Sequence, residues 1–173
     1  MQKNEFISTK NIVRLALVAA AYAVLTLLIQ PLSYGAVQFR FSEALVLLAF
    51  YRRDYSISLI LGCLIANLFS PFGLYDILFG TLATAVAVVP MYYVKNIFIA
   101  ALFPVITNGL LVGYELSIIG EPFWFSVGTV ALGELVVVFI LGIALFKLVL
   151  EKNRFLMHNL IASTRTDKPK SQI

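Results

Sequence analysis

Arg40 and Glu43 lie between two strongly apolar runs of the chain, residues 15–29 and 44–51. Runs of this kind favour a lipid bilayer, and a charged side chain in or next to a bilayer is costly. Such a charge usually serves a partner or a ligand. The segment therefore predicts a polar site within a membrane protein.

The composition also indicates an integral membrane protein. Of 173 residues, 61% are hydrophobic and 13% are charged, whereas soluble domains have about 45–50% apolar and about 25% charged residues. The net charge of +4 comes mostly from basic residues at the termini and in short gaps between apolar runs. Because this placement specifies membrane topology, the charge does not indicate nucleic-acid binding.

The single cysteine, Cys63, and the single histidine, His158, limit the available chemistry. An internal disulfide and a zinc site of clustered thiolates are excluded, and His158 follows the last apolar run. The sequence has no P-loop, zinc-protease or serine-hydrolase motif. We therefore expect no enzyme, resident cofactor or metal, and a transporter built from this chain would take its energy from a gradient or a partner.

Six apolar segments predict an all-α membrane fold with one domain. A spanning helix needs about 20 apolar residues, and turn residues separate the segments. The transmembrane domain then covers residues 11–150, between a cytoplasmic segment, 1–10, and a polar, mostly disordered cytoplasmic tail, 151–173. The six helices are expected at residues 11–29, 43–51, 55–69, 75–94, 97–114 and 125–150.

The second segment has about nine apolar residues, too few to cross a bilayer alone. It is either a re-entrant piece in a five-span protein or a span that residues 37–41 help to complete. With six spans, Arg40 is the only Lys or Arg residue outside the cell, whereas five spans move Arg52 and Arg53 out of the cytoplasm. The positive-inside bias favours six spans in the plasma membrane with both termini cytoplasmic.

The six-span arrangement places the polar side chains of the helices on one side of the membrane. At a rise of about 1.5 Å per residue, these side chains fall in the outer half, and the inner half is almost bare. The pattern predicts a polar cup open to the exterior rather than a continuous pore. Its residues are Gln38, Arg40, Glu43, Asn67, Asp76, Asn108, Glu115 and Glu134.

The cup is acidic and is accompanied by aromatic residues. Counting Glu121, five carboxyl groups face the single Arg40, and desolvated carboxylates need partners. A carboxylate accepts two N–H donors at once and rings stack on flat molecules, so a donor-rich heterocycle would complete the cup. We therefore add Tyr34, Phe39 and Trp124 to the candidate binding residues. The aromatic residues of this layer are Tyr34, Phe39, Tyr114, Phe123, Trp124 and Phe125.

Each candidate also has a purely structural explanation: an ion pair, an interfacial aromatic belt, a helix cap or a hydrogen bond between helices. Glu134 lies deep in an apolar helix and is the hardest to explain in this way. Arg40 and Glu43 would form the ion pair, Trp124 and Tyr114 would belong to the aromatic belt, Asp76 and Glu115 would cap helices, and Asn67 and Asn108 would form the hydrogen bonds between helices.

The first helix carries small residues at a spacing that allows another helix to approach closely. Ala16 and Ala20 are four residues apart, as are Ala19 and Ala23. The spacing leaves open which pair is used. It also leaves open whether the second helix belongs to this chain or to a partner.

Three segments resemble the QueT family: YGAVQFRFSEAL at 34–45, ANLFSPFGLYDILFGTLAT at 66–84 and GELVVV at 133–138. Its members are substrate-binding S components of energy-coupling factor (ECF) transporters. The resemblance covers residues 15–150 and implies a six-helix, S-component-like bundle. It implies capture of a queuosine precursor from outside, a deazaguanine such as the aminomethyl form.

The resemblance also implies partners, namely a transmembrane T component and two ATPase subunits. An A-x-x-x-A face on the first helix of S components docks on the T component. Ala16 and Ala20 match this pattern, and Ala19 and Ala23 also fit it.

Depth and chemistry suggest a role for each candidate. Glu134 or Glu43 would accept N–H donors of a guanine-like edge, and Asp76 or Glu115 would pair with a ligand ammonium. Arg40 would donate to the ring carbonyl or hold a carboxylate in place. The remaining hydrogen bonds would come from Gln38, Asn67 and Asn108, and the stacking from Tyr34, Phe39 or Trp124.

Three alternative functions remain open. The first is a stand-alone ion-coupled carrier of a small heterocycle with Glu134 as a proton relay. The second is an intramembrane enzyme that uses two carboxyl groups as acid and base. The third is a scaffold whose polar layer only joins its own helices.

Overall fold

The computed structural model describes residues 8–34 and 38–161. Within them each predicted apolar helix has a counterpart. A short helical turn, Gln30–Ser33, follows the first helix, and a two-part segment, Arg154–Leu156 and Met157–Ile161, follows the sixth. The helices are α1 (Thr9–Leu28), α2 (Phe41–Tyr51), α3 (Tyr55–Asn67), α4 (Asp76–Met91), α5 (Ile97–Ile118) and α6 (Phe123–Leu150).

Three of the described helices, α1, α5 and α6, are long and apolar enough to cross a membrane, whereas α2, α3 and α4 are shorter. As expected from its apolar length, α2 is short. Its first part, Phe41–Leu47, is a 3₁₀-helix, which rises about 2.0 Å per residue and so reaches further than an α-helix of equal length. Residue 37, which the six-span interpretation adds to this segment, lies outside the described residues.

The elements meet at two opposite ends of the bundle. At one end, called here the terminal end, the start of α1, the turn 52–54 and the segment 151–161 lie together. At the other, called the site end, residues 34–43 lie against the end of α3 and the start of α4. This is the alternation of ends that the predicted order of helices requires.

The close contact between α1 and α3 depends on Gly62. A Cβ atom at Gly62 would lie 2.8 Å from the Ala19 carbonyl oxygen and 2.9 Å from the Tyr22 Cβ. Tyr22 is fully buried in the same core as Leu59 and Val138. The small residue therefore lets α3 lie directly against the backbone of α1 and positions Tyr22 within the bundle.

The C-terminal segment differs from the polar, disordered tail that the sequence predicts from residue 151. The Tyr55 hydroxyl donates to the Leu160 carbonyl at 2.7 Å, Arg14 Nη1 donates to the Asn159 carbonyl at 3.2 Å, and Ile161 is 1% exposed. Apolar residues recur on one side of this segment and pack onto the core. Residues 162–173 of the predicted tail, and residues 1–7 of the predicted N-terminal segment, lie outside the described residues.

Candidate functional site

Eight polar side chains come together at the site end, and each is at most 6% exposed. They come from the loop before α2 and from α2, α3, α4, α5 and α6, so the whole bundle contributes. We call them the polar cluster. Its members are Gln38, Arg40, Glu43, Asn67, Asp76, Asn108, Glu115 and Glu134.

Arg40 pairs with a carboxylate from another helix. Its Nη2 lies 3.8 Å from Oδ1 of Asp76, and its guanidinium carbon lies 5.1 Å from the centroid of the Tyr34 ring. The Tyr34 hydroxyl donates to the Ala66 carbonyl at 3.0 Å, which fixes the ring. Arg40 also interacts electrostatically with Glu43, so it faces two carboxyl groups rather than forming an ion pair with Glu43 alone.

Asn108 lies between two buried carboxyl groups. Its Nδ2 donates to Oε1 of Glu134 at 2.6 Å, and it also interacts with the carboxyl group of Glu43. The Tyr22 hydroxyl of α1 donates to Oε1 of Glu43. Four helices, α1, α2, α5 and α6, are thus joined through one polar chain.

A second group of contacts holds the start of α4. Asn67 Nδ2 donates to the Asp76 carbonyl oxygen at 2.9 Å, and the Ser70 hydroxyl donates to the Asp76 carboxylate. The carboxyl group of Glu115 on α5 interacts electrostatically with Asp76. Asn67 thus joins α3 to α4, as its structural alternative predicts, while its Oδ1 accepts no hydrogen bond within the described residues.

The polar cluster has a surplus of acceptors. Within residues 8–34 and 38–161, no hydrogen bond reaches one oxygen each of Glu43, Asn67, Asp76 and Glu134. The carboxyl group of Glu115 faces that of Asp76 and receives no N–H donor from these residues. Among the described residues, only two donor atoms of the cluster lack a hydrogen-bond acceptor, namely Gln38 Nε2 and Arg40 Nη2. A buried polar atom without a partner costs about 1–3 kcal/mol. The arrangement is therefore chemically suited to a group rich in N–H donors or positive charge.

The predicted aromatic residues divide into two sets. Tyr34 is 7% exposed and borders the polar cluster, and Phe39 beside it is half-buried. Trp124 is 76% exposed, and its ring packs on that of Phe123 at a centroid distance of 4.8 Å. The structure does not bring Trp124 to the cluster, and its exposure fits the interfacial-belt alternative.

Gly133 of α6 explains how the loop before α2 reaches the site. A Cβ atom at Gly133 would lie 2.0 Å from the carbonyl oxygen of Gln38. Only a residue without a side chain allows the loop to lie on α6 at this point. Gly133 directly precedes Glu134, so the loop and that carboxyl group are placed together.

The two pairs of alanines on α1 lie on different faces. Ala19 and Ala23 are 8% and 5% exposed, and the Ala19 backbone lies against Gly62 of α3. Ala16 and Ala20 are exposed. One small-residue face therefore packs within the chain, and the other faces away from it.

A second buried polar group, at the terminal end, was not predicted from the sequence. Arg52 Nε donates to Oδ1 of Asp54 at 2.9 Å, Arg52 Nη2 donates to Oδ1 of Asn11 at 3.2 Å, and Arg14 lies 3.8 Å from Asp54. Burial raises the pKa of the Asp54 carboxyl, but the hydrogen bonds and charge of Arg52 outweigh it, so that pKa lies below its usual value. The sequence signal for this group is Asp54, an acid two residues after Arg52. Arg52 by itself indicates only membrane topology.

Metal binding has no support in the described parts of the chain, where no group of three or more His, Cys, Asp or Glu side chains could hold an ion.

Comparisons with known proteins agree with the sequence resemblance. A model of the family described as QueT transporter matches residues 12–151. The Queuosine precursor transporter QueT of Lactococcus lactis subsp. cremoris (strain MG1363) is 35% identical over 150 residues, which cover 76% of this chain and 88% of that protein. No solved structure matches the chain.

Proposed function

The chain belongs to the QueT transporter family, and from this premise we propose that it is the substrate-capture subunit of an ECF importer. In this proposal residues 11–150 form six spans of the plasma membrane, and both termini are cytoplasmic. The protein binds a queuosine precursor, aminomethyl-deazaguanine, from outside. It delivers this substrate through a T component and two ATPase subunits that supply the energy.

The distribution of basic residues supports this orientation. Lys10, Arg14, Arg52 and Arg53 lie at the terminal end, where the chain also continues into Lys152 and Arg154. Basic residues are concentrated on the cytoplasmic side of membrane proteins. Placing the terminal end in the cytoplasm leaves the polar cluster, with Arg40, toward the exterior.

The acceptor surplus of the polar cluster is the observation that carries the substrate assignment. Aminomethyl-deazaguanine presents an amide N–H, an amino group, a pyrrole N–H and an ammonium group, but few acceptors. In the polar cluster, buried acceptor oxygens without an N–H donor from the described residues outnumber the two donors that lack an acceptor. These oxygens belong to Glu43, Glu134, Asp76, Asn67 and Glu115. The ligand and the site are therefore complementary in hydrogen-bonding character.

This complementarity gives each wall of the cluster a role. Glu43 and Glu134, held on either side of Asn108, would accept the donors of the guanine-like edge. Asp76 and Glu115 would pair with the ammonium group. The donors of the site, Gln38 and Arg40, would serve the ring carbonyl, and the rings of Tyr34 and Phe39 would stack on the heterocycle.

The exposed face of α1 supports a docking role toward the T component. Ala16 and Ala20 are exposed on α1, whereas Ala19 and Ala23 are already buried. A small-residue face lets a partner helix approach closely in a membrane. We therefore assign docking to Ala16 and Ala20 rather than to the other pair.

Binding measurements test the substrate assignment. Titration calorimetry on the purified protein in lipid nanodiscs would compare aminomethyl-deazaguanine with the cyano form, which has no ammonium group. We expect the aminomethyl base to bind at least about tenfold more tightly, since a charged hydrogen bond contributes about 1.5–3 kcal/mol. Equal affinities would exclude the ammonium role, and the absence of binding by both would overturn the substrate assignment.

The stand-alone carrier is the second candidate, favoured by the two buried carboxyl groups of Glu43 and Glu134, which interact with each other. Chains of buried carboxyl groups form proton relays in transporters. Uptake of the labelled base in cells that lack ECF ATPases, abolished by an uncoupler, would favour the carrier. Uptake that requires those ATPases supports the S component.

A further inference from the structure

A pocket, called here the outer pocket, opens at the site end beside the polar cluster. Its volume is about 150 Å³, and aromatic side chains, hydroxyl groups and one carboxylate line it. Apart from Tyr34, the residues that line this pocket have no role in the proposed polar-cluster site. They include Phe72, Glu121, Phe125, Ser126 and Thr129.

The turn between α5 and α6 places the carboxylate of this pocket. Gly120 has a φ of +108°, a backbone conformation that favours glycine. The following N–H, that of Glu121, returns to the Leu116 carbonyl at 3.0 Å. The Ser126 hydroxyl donates to the carbonyl of Pro122, directly before α6, and the Thr129 hydroxyl donates to the carbonyl of Ser126. Both hydroxyl groups thus bond to the backbone, and Glu121 is the one charged residue among the described residues that line the pocket.

Tyr34 connects this pocket to the polar cluster. It lines the pocket, and its ring lies 5.1 Å from the Arg40 guanidinium carbon. Leu116, which also lines the pocket, directly follows the buried Glu115. The pocket and the polar cluster are thus neighbouring compartments that share a wall.

We propose that the outer pocket is a first binding station for a flat cationic heterocycle, which occupies it before moving into the polar cluster. This inference rests on the proposed function, because the occupant is the same substrate. Phe72 and Phe125 offer ring faces for stacking, and exposed Glu121 attracts the ammonium group. A cavity of about 150 Å³ takes up a benzene-sized group, so one edge of the bicyclic ring enters while the other edge and the ammonium stay outside near the carboxylate.

Such a station affects the rate of association more than the final affinity. A substrate that is held at the outer pocket reorients there instead of returning to solvent, so the station speeds both association and the reverse passage. Removal of the station slows both rates and leaves the dissociation constant nearly unchanged. Attraction by Glu121 also makes association of a cation slower as salt increases.

Stopped-flow kinetics on the full-length protein in nanodiscs, with aminomethyl-deazaguanine as the probe, tests this proposal. We expect Phe125→Ala to slow association about fivefold with a dissociation constant within about twofold of the wild type. Glu121→Gln should slow association about threefold and reduce its dependence on ionic strength. Phe69→Ala is the matched control, because Phe69 is 62% exposed and Phe125 60% and Phe69 is absent from the pocket lining.

Several results would overturn the proposal. They are unchanged association in both variants, a higher dissociation constant with unchanged association, or equal slowing in Phe69→Ala. Glu121 is exposed, so Glu121→Gln gives the decision if Phe125→Ala does not fold. If the wild type binds the base and both variants associate at the wild-type rate, the station alone is refuted. If the wild type does not bind the base, the proposed function and the station are refuted together.

Discussion

The Tyr22 hydroxyl donates a hydrogen bond to the Glu43 carboxylate, joining α1 to α2 inside the polar cluster. Tyr22 is fully buried, and Glu43 is 1% exposed. The same helix α1 presents Ala16 and Ala20 on its exposed face. The contact therefore links the proposed ligand site to the helix that carries the proposed docking face.

Replacing Tyr22 by Phe tests this link. The change leaves Oε1 of Glu43 buried without its donor, which costs about 1–3 kcal/mol. We expect a lower midpoint of thermal unfolding and a ligand affinity that falls about fivefold or more, because the carboxylate is no longer held in one orientation. Fluorescence-detected unfolding and calorimetry measure the two effects.

Tyr51→Phe is the matched control for Tyr22→Phe. The Tyr51 hydroxyl donates to Glu151 at 2.8 Å, so both changes remove a tyrosine–carboxylate hydrogen bond. Tyr51 lies at the terminal end, away from the polar cluster, and its loss should leave ligand affinity unchanged. Equal losses of affinity in the two variants would contradict a specific role for Tyr22.

Glu134→Gln and Glu43→Gln test whether the carboxyl groups bind the ligand. A neutral amide accepts weaker hydrogen bonds and presents an N–H toward donors of the ligand, so we expect affinity to fall by a factor of tens or more in at least one variant. Calorimetry on the purified protein gives the dissociation constants. Glu151→Gln at the terminal end should bind normally, and wild-type affinity in both site variants would eliminate the carboxylate role.

The positions of the helices could be predicted because a membrane imposes length and apolarity on each helix. The convergence of Glu43, Asp76, Asn108 and Glu134 followed from counting residues along alternating helices. The ion pair of Arg40 with Asp76 could not be found in this way. Arg40 has φ −87° and ψ 86° and precedes the helix, so helical spacing does not describe the direction of its side chain. Arg40 pairs with Asp76 on α4 in addition to interacting electrostatically with Glu43.

Other features depended on contacts between distant segments. The two alanine pairs have the same spacing, and only the position of Gly62 on α3 shows which pair is buried. The chain after Glu151 is polar over most of its length, which predicts a tail, yet Leu160 and Ile161 meet a core built by other parts of the chain. Sequence spacing describes one element at a time, and these contacts join several.

Ala16→Trp tests the docking face. A large side chain on an exposed small-residue face prevents the close approach of a partner helix. Uptake of labelled aminomethyl-deazaguanine by cells should fall at least about tenfold, while the purified variant binds the base with wild-type affinity. Ala144→Trp is the matched control, because Ala144 is an exposed alanine on α6. Normal uptake by Ala16→Trp would exclude this face as the docking surface.

Asp54→Asn tests the polar group at the terminal end through its pH dependence. The pKa of Asp54 is lowered in the folded protein, so its carboxylate stabilises the fold above the unfolded value of about 3.9, and this stabilisation disappears as pH falls through the lowered pKa. We expect the variant to unfold more readily than the wild type near neutral pH. The difference should shrink below about pH 4, and thermal unfolding from neutral to acidic pH measures it. A constant difference at every pH would contradict this assignment.

Gly133→Ala and Gly128→Ala form a matched pair on α6. A Cβ atom at Gly133 would meet the Gln38 carbonyl oxygen at 2.0 Å, whereas at Gly128 it would meet nothing within 4 Å. The first change forces the loop before α2 away from Glu134 and should destabilise the fold by about 1–3 kcal/mol, with weaker ligand binding. The second adds only helix propensity and should be neutral or stabilise by up to about 1 kcal/mol. Unfolding midpoints and calorimetry on both variants decide the matter, because equal behaviour of the pair would show that the loop does not lie on α6 at Gly133.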